Sequence, residues 1–218
     1  MFIGHFAIGL AAKARAPKPS LGTYFIAAQL LDLLWPVLLL FGLERVEIHP
    51  GDTAVTPLNF VSYPYSHSLL TTCLYALLFA AAYALVRSDK KSALSLGLVV
   101  LSHWILDLVT HRPDLPLAPG ASPLVGFGLW QSVIGTFVIE SAMFVGAAWL
   151  YFRGTKAVDR TGTAVPVILL VILFIAYLMN ILSPEPPPSP EIIAWVSCGM
   201  WLFVGLAYWG DRHRVKIL

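Results

Sequence analysis

The stretch Ala93-Leu-Ser-Leu-Gly-Leu-Val-Val-Leu-Ser-His103-Trp-Ile-Leu-Asp107-Leu-Val-Thr-His111 decides what kind of chain this is. It is long and apolar enough to cross a bilayer, yet it carries two histidines and an aspartate. His103, Asp107 and His111 recur at i, i+4 and i+8. On a helix they share one face, within about 80° of one another and about 6 Å apart along the axis. Two imidazoles and a carboxylate on an apolar helix are costly unless something compensates them. A metal ion is the expected compensation.

The rest of the chain agrees with a membrane setting. Of 218 residues, 58% are hydrophobic and only 12% charged, with mean hydropathy +0.77, far more apolar than a soluble domain. The expected fold class is all-α: one polytopic transmembrane domain, residues 1–218, built as a bundle of about seven helices. The first, Phe2 to Ala12, is too short to span. The others run from about Leu21 to Phe41, His67 to Val86, Ser92 to Thr110, Trp130 to Phe152, Thr163 to Leu182 and Ile192 to Trp209. Residues 1–152 carry the candidate site, and 153–218 add two more helices and a basic tail. The segment from Ser183 to Pro190 reads as a stiff Pro-rich linker. Cys73 and Cys198 lie in apolar runs and read as small hydrophobes, neither a disulfide nor a CxxC site. The N-terminus lacks the basic region and cleavage site of a signal peptide.

Charge sets the orientation. Alternating the helices puts every Lys and Arg except Arg45 and Arg112 on one side. That side should be cytoplasmic, placing the N-terminus and the two long loops outside and the C-terminus inside. The expected location is a bacterial cytoplasmic (inner) membrane, crossed several times. On this topology His5, His67, Asp107 and His111 lie near the outer ends of their helices. Asp32, His103 and Glu140 lie roughly 10–15 Å deeper. The cytoplasmic half is expected to hold no ionisable group.

Each residue also has a plainer reading. Pro36 removes the hydrogen bond that the carbonyl of Asp32 would accept, so the helix should kink there; Asp32 could be no more than part of that kink. Ser66 could cap a helix with His67 in its first turn. His5 could be an interfacial histidine, His111 a loop histidine, and His103 with Asp107 a hydrogen-bonded pair. Glu140 could be a ligand, a partner of a ligating histidine or a protonated packing acid. Together, four histidines and three carboxylates on one side of a small bundle favour a shared cause. Imidazole and carboxylate without thiolate suit zinc, and manganese or iron less well. Six or seven ligands leave room for one to three ions. Two ions are the usual device for phosphoester hydrolysis.

At Gly4-His5, Asp32, Ser66-His67-Ser68-Leu69 and Ser102-His103-x3-Asp107 the sequence resembles the YdjM/YbcI-type membrane-bound metal-dependent hydrolases of bacterial inner membranes. The resemblance covers about residues 1–150. The order His, Asp, His, His-x3-Asp, His, Glu is also similar, more distantly, to the ligand order of zinc-dependent phospholipase C and the related single-strand nucleases. That likeness implies a zinc held by Asp32, His67, His103 and Asp107. It implies that Asp107 bridges to a second zinc with His5, and that a third is held by His111 and Glu140. Thr136 stands where that pattern has a histidine, so two ions are expected.

The chemistry implied is hydrolysis of a phosphoester or other polar ester of a lipid or lipid-linked substrate at the outer leaflet. Asp32 and Asp107 would be the catalytic carboxylates, and Arg112 a phosphate clamp unless it simply pairs with Asp114. The segments 60–65 and 112–116 would wall the mouth, or serve as connecting loop and aromatic belt. Membrane lipids are the expected partners, and nucleic acid is not. Two rivals remain. A transporter or ion or proton channel would need a relay across the membrane. A structural membrane protein would use the polar cluster only to staple helices.

Overall fold

The computed structural model describes residues 1–182 and 185–217, so Ser183 and Pro184 of the Pro-rich linker lie outside the described residues. The chain is mostly helical, with three small two-stranded ladders. Among the described residues, five helical stretches are long and apolar enough to cross a membrane, and a sixth qualifies if one bent pair is taken as a single span.

The first helix, α1 (Ile3–Arg15), is central rather than peripheral. Ile3, His5, Phe6 and Leu10 are fully buried. It packs against α7 (Val133–Gly154), α2 (Leu21–Ala28) and α6 (Lys90–Thr110). The second expected helix is broken. α2 ends at Ala28, and α3 (Leu30–Leu40) leaves it at 57°. The break falls at Gln29, not at Pro36, which sits inside α3. Pro36 is accommodated because the hydrogen bond it forgoes is a single one. The Gln29 break takes the carbonyl of Ala28 out of the helical ladder, and that carbonyl accepts a hydrogen bond from His103 Nδ1 at 2.7 Å.

The polar segment after α3 is not a bare loop. β1 (Arg45–Ile48) and β2 (Leu58–Ser62) pair antiparallel, with a register shift between Arg45 and Val46. A single turn, α4 (Pro64–His67), precedes α5 (Leu69–Arg87). Ser68, rather than Ser66, caps α5 by accepting from the Thr71 amide. The loop after α6 carries β3 (Leu115–Pro116) and β4 (Leu124–Val125). β5 (Thr155–Ala157) leads into α8 (Arg160–Leu182), then α9 (Pro190–Cys198) and α10 (Met200–Arg212), one apolar stretch interrupted at Gly199. The basic tail folds back as β6 (Arg214–Lys216) on β5.

The basic connectors meet at one end of the bundle. Lys18 bridges to Asp89 at 3.0 Å, and β5 pairs with β6. The loops on either side of β1–β2 and of β3–β4 meet at the other end, where Arg112 bridges to Asp52 at 2.9 Å. α1 and α10 run on far enough to bury Lys13 against Asp211 at 2.7 Å. That pair is closed: Lys13 also donates to the Pro17 and Pro19 carbonyls, and Asp211 accepts from Leu21 N–H and the Tyr151 hydroxyl. Two buried charges, each with further hydrogen bonds, fasten α1, α2, α7 and α10 together. Outward, α5 presents Leu74, Leu77 and Leu85, and α7 presents Ile134, Val138 and Val145, all exposed. Exposed apolar faces of this extent are compatible with a membrane.

Candidate metal centre

His103 and Asp107 point from α6 into the bundle interior, both essentially inaccessible. His103 Nε2 lies 3.2 Å from Asp107 Oδ2 and 3.7 Å from Asp32 Oδ1. His67 Nε2 lies 3.3 Å from Asp32 Oδ1 and 3.8 Å from Asp107 Oδ2. Donor atoms each about 2.0–2.2 Å from one zinc ion stand about 3.2–3.6 Å apart in a tetrahedron. Two of these separations, 3.2 and 3.3 Å, fall in that range, and the other two, 3.7 and 3.8 Å, lie just beyond it. His103 Nε2, although close to two carboxylates, is aligned for a hydrogen bond with no partner among the described residues. A buried nitrogen aimed at carboxylates without bonding to them is what a ligand looks like beside its site.

The two histidines are oriented through their other nitrogen. His103 Nδ1 is fixed on the Ala28 carbonyl. His67 Nδ1 is held at 2.7 Å by the Ser66 hydroxyl, which donates to Glu44 Oε2 at 2.7 Å. Glu44 is itself buried and accepts the Tyr65 and Ser66 amides. Such outer contacts set the tautomer and ring direction of ligating histidines. Sequence reasoning missed Glu44, because it lies 22 residues from Ser66 and the β1–β2 hairpin closes that gap.

Asp107 faces two ways. Its Oδ2 looks toward His67 and His103, while its Oδ1 accepts from His5 Nε2 at 3.1 Å and from the Met1 amine at 2.6 Å. The His5 ring stacks on His103, centroids 3.6 Å apart and planes within 5°. Two groups of ligand atoms therefore converge within 4.8 Å: Asp32, His67 and His103 in one, and His5, His103 and Asp107 in the other. The donor set fits a divalent cation such as zinc, with Asp107 placed between two positions.

Neither Glu140 nor His111 belongs to either of these groups. Glu140 Oε2 accepts the Phe2 and Gly4 amides at 2.9 and 3.1 Å, a carboxylate on the N-terminus of α1. Its role is to seat α1, and thereby His5. His111 lies beyond the end of α6, with Nδ1 2.9 Å from Asp114 Oδ1 and its ring between Phe60 and Trp130. The Tyr63 hydroxyl donates to Asp114 at 3.1 Å. Burial, then the Asp114 carboxylate, push the Tyr63 phenol well above its ordinary range, so it stays a donor. Arg112 is engaged by Asp52, Asp114 and Asn59. The plainer expectation for it, pairing with Asp114, is the one the geometry shows.

A cavity of about 1000 Å³ opens over the centre. Asp32, His67, Asp107, His111 and Glu140 contribute polar groups to its lining, and the rest comes from the chain start, the β1–β2 hairpin between residues 50 and 60, Trp35, Trp130, residues 185–188 of the linker, and α8, α9 and α10. Of Asp32, His67, His103 and Asp107, Asp32 is the most accessible, its side chain 22% exposed. The two helices beyond the resembling region are thus walls of the same cavity. In comparisons with protein-family models, curated proteins and solved structures, the chain matches none.

Proposed function

We propose that the protein is a membrane-embedded, zinc-dependent hydrolase. It cleaves a phosphoester or other polar ester of a lipid or lipid-linked substrate at the outer face of a bacterial cytoplasmic membrane. The observation that carries this reading is the pair of adjoining ligand groups, Asp32, His67 and His103 in one and His5, His103 and Asp107 in the other, at the end of a cavity. Bound zinc supplies a water of near-neutral pKa and polarises an ester oxygen.

The chain's own residues do the rest. Glu44 through Ser66, and the Ala28 carbonyl, aim the imidazoles. Asp107 joins the first position to a second beside His5. Asp32, accessible from the cavity, is placed to accept a proton from an attacking water. The apolar walls exclude bulk water and so strengthen each charge at the centre. The gathering of basic connectors at the end opposite the centre supports an outward-facing site under the positive-inside rule.

Elemental analysis of detergent-purified protein tests the proposal. Wild type should carry about two zinc per chain, and His103→Ala and Asp107→Ala should each lose metal while remaining folded. A wild type that is metal-free, and takes up none when it is added, would end the hydrolase reading.

A further inference from the structure

The cavity has two chemistries that no small polar ester satisfies. One end carries the carboxylates and imidazoles of the centre, while the far wall is apolar, with Tyr177, Ile181 and Met200 buried along it. At about 1000 Å³ it sits at the top of the range for ligand cavities. A compact polar substrate would fill only the polar end. Its border is mixed: Met179, Val196 and Leu202 line it, 69%, 72% and 72% exposed, and so do the exposed Pro50, Gly51 and Ala54 of the hairpin and Pro186 and Pro188 of the linker. Where α8, α9 and α10 reach the surface that border is apolar, which suits hydrocarbon better than water.

We propose that the chamber walled by α8, α9 and α10 receives an apolar chain of the substrate, entering sideways from the bilayer between Met179, Val196 and Leu202. Seating the chain there brings the ester at its head to Asp32, His67 and Asp107. The substrate class is therefore an amphiphile whose scissile bond lies next to a long hydrocarbon chain. Selectivity among such chains resides in α8–α10, the part of the molecule that supplies no ligand to the centre. The position of the ester rests on the hydrolase reading; the occupancy of the chamber does not.

The test uses full-length protein in phosphatidylcholine vesicles containing a small fraction of phosphatidylcholine with a diazirine on its acyl chain. After illumination, labelled residues are mapped by mass spectrometry. Label is expected on Tyr177, Ile181 or Met200, in addition to outward-facing positions such as Trp195, which is exposed and outside the chamber. Met200→Trp, which fills the chamber, should abolish the wall label and leave that on Trp195. Val196→Trp, at an exposed rim position where folding is not at stake, should do the same. Wall residues that stay unlabelled while Trp195 is labelled would overturn the proposal, as would wall label unchanged in both variants. The zinc content of the wild type, measured on the same samples, separates the two readings. Wild type that carries no zinc and takes up none, but whose wall still takes label, ends the hydrolase and keeps the chamber; zinc-loaded wild type with an unlabelled wall does the reverse.

Discussion

At the scale of single residues, the centre depends on how its histidines are held as much as on their presence. Ser66→Ala should remove the link from Glu44 to His67 and weaken zinc binding about 10–100-fold with the fold intact; competition with a chromophoric chelator measures this, and unchanged affinity would refute the relay. Tyr63→Phe removes one donor to Asp114 and should cost about 1 kcal/mol in thermal unfolding. Gln29 is fully buried and its amide has no partner among the described residues. Gln29→Met should therefore raise stability by about 1 kcal/mol or more. A lower melting temperature would mean the amide holds something. The convergence of His103 with Asp107 was legible in the sequence, because i, i+4 spacing on a helix leaves little choice. The part played by Glu140 was not: its carboxylate is satisfied by the backbone amides of Phe2 and Gly4, and no side-chain pattern announces such a partner.

Among elements, close backbone approaches fix the geometry around the site. A Cβ on Gly126 would lie 2.1 Å from the Arg112 carbonyl oxygen and 2.4 Å from that of His111. Gly126→Ala should push β4 away from His111 and destabilise the protein by about 1–3 kcal/mol, read as a lowered melting temperature. The helices of α5, α6, α7 and α8 could be read from hydropathy because each is a long apolar run bounded by charge or proline. The Gln29 break could not. Pro36 is the only conspicuous breaker in that segment, and the feature that wins is tertiary: the freed Ala28 carbonyl is bound by a histidine 75 residues away. The β5–β6 ladder escaped for a similar reason, since its strands are three residues each and lie far apart in the chain.

For the molecule as a whole, charge asymmetry predicts which end faces which compartment. In a Cys73→Ser, Cys198→Ser background, Ala121→Cys should react with an impermeant maleimide on intact cells, and Lys91→Cys only after permeabilisation; both positions are exposed. The opposite pattern would invert the topology. The gathering of ionisable groups at one end was visible in the sequence, while the cavity was not, because its walls come from helices with no polar signature. The bent pair of α2 and α3 stands apart from the long helices. With 8 and 11 residues rising about 1.5 Å each, they are roughly 12 and 16 Å long. Bent by 57°, they reach only about 21 Å along the α2 axis, against about 30 Å of hydrocarbon in a bilayer. Taken as one span, the pair would be about a third too short, a hydrophobic mismatch that its longer neighbours do not share. The bend that sets the Ala28 carbonyl on His103 is thus also what makes this the shortest of the candidate spans.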